Sequence, residues 1–188
     1  MRVADRQEIR KRLSPEDRAA QLMAVALELF GQEGLGRVGH GDIAKQAGVS
    51  TGTVFNYFPT IDGLNARVME AVHLSTMAIF NIDQPQARLS PILSFGRRLL
   101  DIVESHPDLS KIFLSWSHSY GEPFRAEFLA LKGEILRQIE DSLPPRDNAA
   151  VDAQIIFGTG IMLAQMKLEG AGDEELNPFL ARVANLIG

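Results

Sequence analysis

Between Ser50 and Phe58 the chain gathers side chains of the kinds that meet a nucleic acid. Thr51, Thr53 and Tyr57 carry hydroxyls suited to phosphate oxygens, Asn56 carries an amide able to pair with an adenine edge, and the Phe55 ring could pack on a thymine methyl. Val54 and Phe58, four residues apart, fall on the opposite side of a helix, so the polar and aromatic set shares one outward face. Ser50 suits the N-cap of that helix, and Ser50 and Gly52 at its start belong with the candidate DNA-binding set. Arg37 and His40 stand shortly upstream as further phosphate donors, although a lone histidine is more often a cap or a satisfied core residue. Arg10 and Arg12, in a basic N-terminal stretch, could enter a minor groove beside the site read by the helix.

A different chemistry competes for attention. Gly34, Gly36 and Gly39 spell G-x-G-x-x-G, the dinucleotide-binding fingerprint of oxidoreductases. That mechanism demands a strand before the first glycine, whereas the preceding residues run at helical period from a capped start. The glycines read instead as a connection into a helix capped by Gly39 or His40. No catalytic residue, cofactor or metal is expected: the four histidines, His40, His73, His106 and His118, show no i, i+4 pairing, and no spaced nucleophile, histidine and acid stand out.

The elements that must position the Ser50–Phe58 face are legible from local chemistry. Ser14 caps a first helix, Pro15 occupies its first position, and Glu16 and Asp17 meet its positive end. Leu22, Val25, Ala26, Leu29 and Phe30 line one face of it, and Gly34 ends it. Ile43, Ala44 and Ala47 give a short second helix its apolar side, and Gly48 suits the tight turn into the third. A small residue, glycine four positions on and a β-branched residue six further on form the signature of a helix-turn-helix. Pro59 breaks the third helix, and Thr60 caps a fourth that runs to about Phe80.

Gly52-Thr53-Val54-Phe55-Asn56-Tyr57-Phe58 resembles the G-T-hydrophobic-Y-x-[YH]-F segment of the TetR family of bacterial transcriptional regulators. Arg12-Leu13-Ser14-Pro15, Gln21-Leu22-Met23, Ala26-Leu27-Glu28, Gly39-His40 and Val54 through Thr60 are similar to one branch, the quorum-sensing master regulators of vibrios of LuxR/HapR/SmcR type. The likeness covers about the first third of the chain, with a weaker echo at Lys111, Trp116-Ser117, Ser119 and Phe128. It implies an all-α, TetR-like fold, a homodimer on a pseudo-palindromic double-stranded DNA operator, and a small-molecule pocket behind the reading head. The chain departs from the wider family at Gly41 and Ile61, where a basic residue and a lysine commonly touch phosphates.

Composition sets the outer bounds. A chain of 188 residues with 45% hydrophobic and 23% charged side chains suits a globular protein, and no apolar run approaches the roughly 20 residues of a membrane span. The absence of cysteine excludes disulfides and thiol redox sensing. The N-terminus is not patterned as a signal peptide, so a cytoplasmic, nucleoid-associated protein with no membrane partner is expected. Residues 1–58 hold 8 basic and 7 acidic side chains and the remainder 11 and 17, within a net charge of −5, so the acidity lies behind the candidate reading head and would favour orientation on DNA.

Beyond residue 60 everything reads as helix. Three domains are expected: a basic arm over 1–13, a helix-turn-helix domain over 14–60, and a helical dimerisation and ligand domain over 61–188. Helices open at Ser90-Pro91, Pro107 and Glu122-Pro123 and cover about 148–169 and 174–187. Val151, Ile155, Ile156, Ile161, Met162, Leu163, Met166 and Leu168 cover more of a helix circumference than one core needs; with Phe179, Leu180, Val183 and Leu186 they predict a four-helix interface between two copies. Phe80, Phe113, Trp116, Phe124, Phe128, Phe157 and Met162 are candidate walls of a pocket for a small apolar ligand, with Gln165, His118 and Lys132 as polar candidates. Plain core packing explains most of these aromatics equally well, Trp116 being the exception whose N–H needs a partner. A local repressor released by a metabolite or drug is the alternative within this class, and the dinucleotide enzyme the alternative outside it.

Overall fold

The computed structural model describes residues 13–34, 36–80, 90–121 and 124–187. Helices α1 (Pro15–Glu33), α2 (His40–Ala47), α3 (Thr51–Tyr57) and α4 (Ile61–Met77) are followed by a 3-10 turn at Ala78–Phe80. Then come α5 (Pro91–Ser105), α6 (Pro107–Ser117), α7 (Phe124–Ser142), α8 (Ala149–Leu168) and α9 (Asp173–Ile187). No strand occurs among the described residues.

The boundaries follow side-chain chemistry. Ser14, Ser50 and Thr60 each place a hydroxyl oxygen 3.0–3.1 Å from the backbone N–H three residues on, capping α1, α3 and α4. Gly39 caps α2 with the Asp42 carboxylate accepting its N–H at 2.9 Å. Gly34 closes α1 at φ 88° and Gly48 turns α2 into α3 at φ 65°, ψ 37°, a left-handed conformation that a β-carbon would strain. The G-x-G-x-x-G run therefore lies between two helices, and the strand that a dinucleotide site requires is replaced by α1.

Leu22, Ala26 and Phe30 of α1, Ile43 and Ala44 of α2, and Val54 and Phe58 of the α3 segment are buried in one core. That core continues along α4 through Leu64, Val68 and Val72 to Ile112, Trp116, Phe128 and Leu131 of α6 and α7. α1 packs on α6 and α4 on α6, so α1–α3 are joined to the later helices through shared apolar surface. α8 packs on α5 and α7, and α9 on α5 and α8. At the α5–α9 crossing a β-carbon on Gly96 would collide with the Leu180 methyl, so glycine permits the close approach. Lys167 ties α8 to α5 and α9 through Glu104 at 3.0 Å and Asp173 at 3.7 Å, and the Glu104 carboxylate is the main reason its ammonium sits above the usual lysine range.

α8 corrects the expectation that no stretch approaches membrane length: among the described residues it is the helix long and apolar enough to cross a bilayer by length and composition. Its apolar side chains divide between two faces. Ala153, Ile156, Leu163 and Ala164 are buried against the body of the protein, so Ile156 and Leu163 serve the core, as does Leu180 of α9. Val151, Ile155 and Met162 are 58%, 49% and 37% exposed, and with Gly158 they follow helical spacing along the outer face; Phe179 of α9 is 40% exposed. The Leu186 side chain lies outside the described residues.

Candidate nucleic-acid interface

Val54 is fully buried and Phe58 nearly so, which turns the other side of α3 outward. Thr51, Gly52, Phe55 and Asn56 are exposed there, Phe55 at 47%, while Thr53 and Tyr57 flank the face half-buried and Ser50 is exposed at its start. The Ser50 hydroxyl bonds the Thr53 hydroxyl at 2.9 Å as well as accepting the Thr53 N–H, so these two side chains fix each other before any partner arrives. Tyr57 packs its ring against the core and supports the face from its edge. Thr51, Phe55 and Asn56 therefore remain the outward group.

Arg37 is exposed in the loop before α2. His40 is placed differently from the phosphate-donor role: it is 9% exposed, its Nε2 lies 2.7 Å from the Phe58 carbonyl oxygen, and its ring stacks on Phe55 with centroids 4.1 Å apart and planes 11° apart. Sequence reasoning missed this contact because it joins residues 18 positions apart. Arg10 and Arg12 lie outside the described residues. Gly41 and Ile61 are exposed at the first turns of α2 and α4, and a β-carbon on Gly41 would meet nothing within 4 Å.

The residues matched by the family model described as bacterial regulatory proteins, tetR family, are 22–68, from the middle of α1 into α4. The HTH-type transcriptional regulator LuxR of Vibrio harveyi is 40% identical over 112 residues, which is 58% of this chain and 55% of that protein, so the chain spans about half the length of the curated relative it matches. Solved structures extend the likeness of fold beyond that segment. A TetR-like transcriptional regulator from Rhodococcus sp. RHA1 has TM-score 0.75 at 17% identity, over 94% of this chain and 96% of that one. A second transcriptional regulator from the same organism has TM-score 0.73 at 20% identity, over 90% and 95%. A structure of SmeT in complex with triclosan has TM-score 0.64 at 18% identity, over 88% and 91%.

Beyond α1–α3 lies an apolar cavity of about 110 Å³ between α4, α5, α6, α7, α8 and α9. Phe80, Phe113 and Phe157 line it, together with Phe95, Leu99 and Leu109, which sequence reasoning did not single out. Trp116, Phe124, Phe128, Met162 and Gln165 do not. The Trp116 indole N–H donates to the Phe124 carbonyl at 2.7 Å, and its ring meets Phe128 edge-on in the core, where Phe128 also meets Phe113. Met162 is on the outer face of α8, and the exposed Gln165 amide donates to Glu169. Lys132 lies over the Phe157 ring, 5.2 Å from its centroid, and His118 Nδ1 lies 2.8 Å from the Leu114 carbonyl, both outside the cavity wall.

Among the described residues no charged side chain lines the cavity, and four of those that line it carry hydroxyls. Thr76 donates to the Val72 carbonyl, Ser110 to that of His106 and Thr159 to that of Ile155, each within its own helix or cap. Ser75 is the remaining hydroxyl and has no hydrogen bond to another described residue.

Proposed function

We propose that this chain is a sequence-specific DNA-binding transcriptional regulator of the bacterial cytoplasm, acting as a homodimer on a pseudo-palindromic operator. The observation that carries the reading is the outward group on α3, Thr51, Phe55 and Asn56, held over the buried Val54 and Phe58 inside the segment that matches the tetR family. Asn56 reads an adenine edge, Phe55 meets a thymine methyl, and Ser50, Gly52, Thr53 and Tyr57 fix the helix against the backbone. Arg37 and Lys45, both exposed, supply phosphate contacts that Gly41 and Ile61 do not, and Arg10 and Arg12 extend the footprint into the minor groove.

The partner of each head is a second copy. Val151, Ile155, Gly158 and Met162 form an apolar stripe on α8, and Phe179 of α9 adds a ring; joined to the same surface of another chain they give a four-helix interface around a two-fold axis. Two heads then meet half-sites about one helical turn apart. The cavity supports a ligand-gated reading: its uncharged wall suits a small neutral molecule with one hydrogen-bonding group facing Ser75. α4 runs from Thr60 beside α3 to Val72, Ser75 and Thr76 on the cavity wall, so an occupant there acts on the spacing of the two heads. The sequence likeness to a vibrio regulator favours a global, density-responsive role over release of one local operon.

Selection of bound sequences from a random duplex pool tests the reading. A two-fold symmetric site that relaxes with Asn56→Ala, and weakens on deletion of residues 1–12 more than random duplex does, is the expected outcome. A pool that returns unenriched at moderate salt would overturn it.

A further inference from the structure

The exposed Phe55 ring is held by a residue from another helix. His40 opens α2, is 9% exposed, and touches α3 twice: its ring lies flat on Phe55 at 4.1 Å, and its Nε2 reaches the Phe58 carbonyl at 2.7 Å. We propose that His40 is a positioning residue for base recognition, fixing the direction of Phe55 and the C-terminal end of α3 while remaining buried itself. This inference rests on α3 being the DNA-reading helix.

Each contact answers a local need. α3 has only seven residues, Thr51–Tyr57, and is followed by Phe58 and Pro59. So short a helix frays unless its ends are tied, and the proline offers no N–H. The Phe58 N–H goes to the Val54 carbonyl, whereas the Phe58 carbonyl depends on a donor from outside the helix. An aromatic ring that stands 47% exposed turns about two side-chain torsions unless something flat lies against it. A ring carrying an N–H at its far edge meets both needs at once. Phenylalanine would supply the surface without the donor, and glutamine the donor without the surface.

The contact is insensitive to the charge of the imidazole. The neutral tautomer with its proton on Nε2 and the imidazolium both donate to the Phe58 carbonyl, and both keep a planar ring over Phe55. Substitution, rather than pH, therefore separates a positioning role from direct contact with a phosphate. A phosphate contact would act on every duplex alike, whereas a ring held in register acts on sequence preference.

The experiment takes the operator returned by the random-pool selection and compares it with random duplex at fixed salt, using the full chain and the variants His40→Ala, His40→Phe, His40→Gln, Phe55→Ala and His40→Ala/Phe55→Ala. His40→Ala and Phe55→Ala should each lower the operator-to-random affinity ratio about tenfold, with random-duplex affinity within about twofold of the parent. In the double variant the ratio should fall no further than in Phe55→Ala, because His40 acts on sequence preference through that ring, while its Phe58 contact steadies the helix end on every duplex alike. His40→Phe should keep the ratio within about threefold, and His40→Gln should lose it as alanine does. Helical circular dichroism monitors folding, and should His40→Ala unfold, the Phe and Gln pair decides the question. Losses that multiply in the double variant, or operator and random affinities that fall together, would overturn the inference. A parent chain that enriches no sequence would instead remove the DNA reading itself, and the inference with it.

Discussion

Two exposed helical faces of this protein are built on opposite principles. On α3 a buried Val54 supports hydroxyls, an amide and one ring; on α8 buried Ile156 and Leu163 support a second row of aliphatic side chains, Val151, Ile155 and Met162. Water solvates the first face well, so contacts there form and break at little cost and suit a partner that is exchanged. The second face gains from permanent cover, since exposed apolar stripes on one chain are relieved by burial. On the proposed reading, the contrast teaches that recognition and assembly are separated along the chain, with α4 between them.

The sharpest way to break the comparison is to make the α8 face polar. Ile155→Glu with Met162→Glu should convert the protein to a monomer in sedimentation and weaken operator binding on the order of a hundredfold, through loss of the paired half-site. A dimer that persists would move the interface elsewhere. Asn56→Ala on the other face should leave the dimer intact and lower operator affinity about tenfold, with relaxed preference at one position of each half-site.

The cap chemistry that makes these faces was legible in the sequence. Ser14, Ser50 and Thr60 announce helix starts by residue type, and Gly34 and Gly48 announce ends, because these signals act within three or four residues. What could not be read were contacts made across distance. Trp116 looks like a pocket residue until the Phe124 carbonyl is found beside its N–H, and His40 looks like a surface donor until α2 and α3 are crossed. On α8 the apolar residues surround the helix, so periodicity marks no inner side, and Ile156 and Met162 were indistinguishable until α5 and α7 were packed against one face.

Two smaller effects refine the contrast between reading and scaffold. Trp116→Phe should cost about 1–3 kcal/mol of stability by leaving the Phe124 carbonyl without its donor, with operator affinity unchanged, as thermal melts and binding titrations would register. Gly41→Arg has open space at the start of α2 and should strengthen binding to all duplexes a few-fold, raising the magnitude of the salt slope by about one. A gain confined to the operator would place residue 41 against a base rather than a phosphate.

The hydroxyls that the cavity has already turned back onto its own helices carry a consequence for what such a chamber can hear. Phosphates, carboxylates and ammonium groups would have to leave their hydration behind and would find, among the described residues, the Ser75 hydroxyl but no opposite charge to replace it, so a charged occupant is disfavoured by energy rather than by shape. A molecule at ease between Phe95, Phe113 and Phe157 is by the same measure at ease in the hydrocarbon of a bilayer, and needs no transporter to reach it. On the proposed ligand-gated reading, such a chamber would listen outward, to what diffuses into the cell, more than inward to what the cell makes and charges.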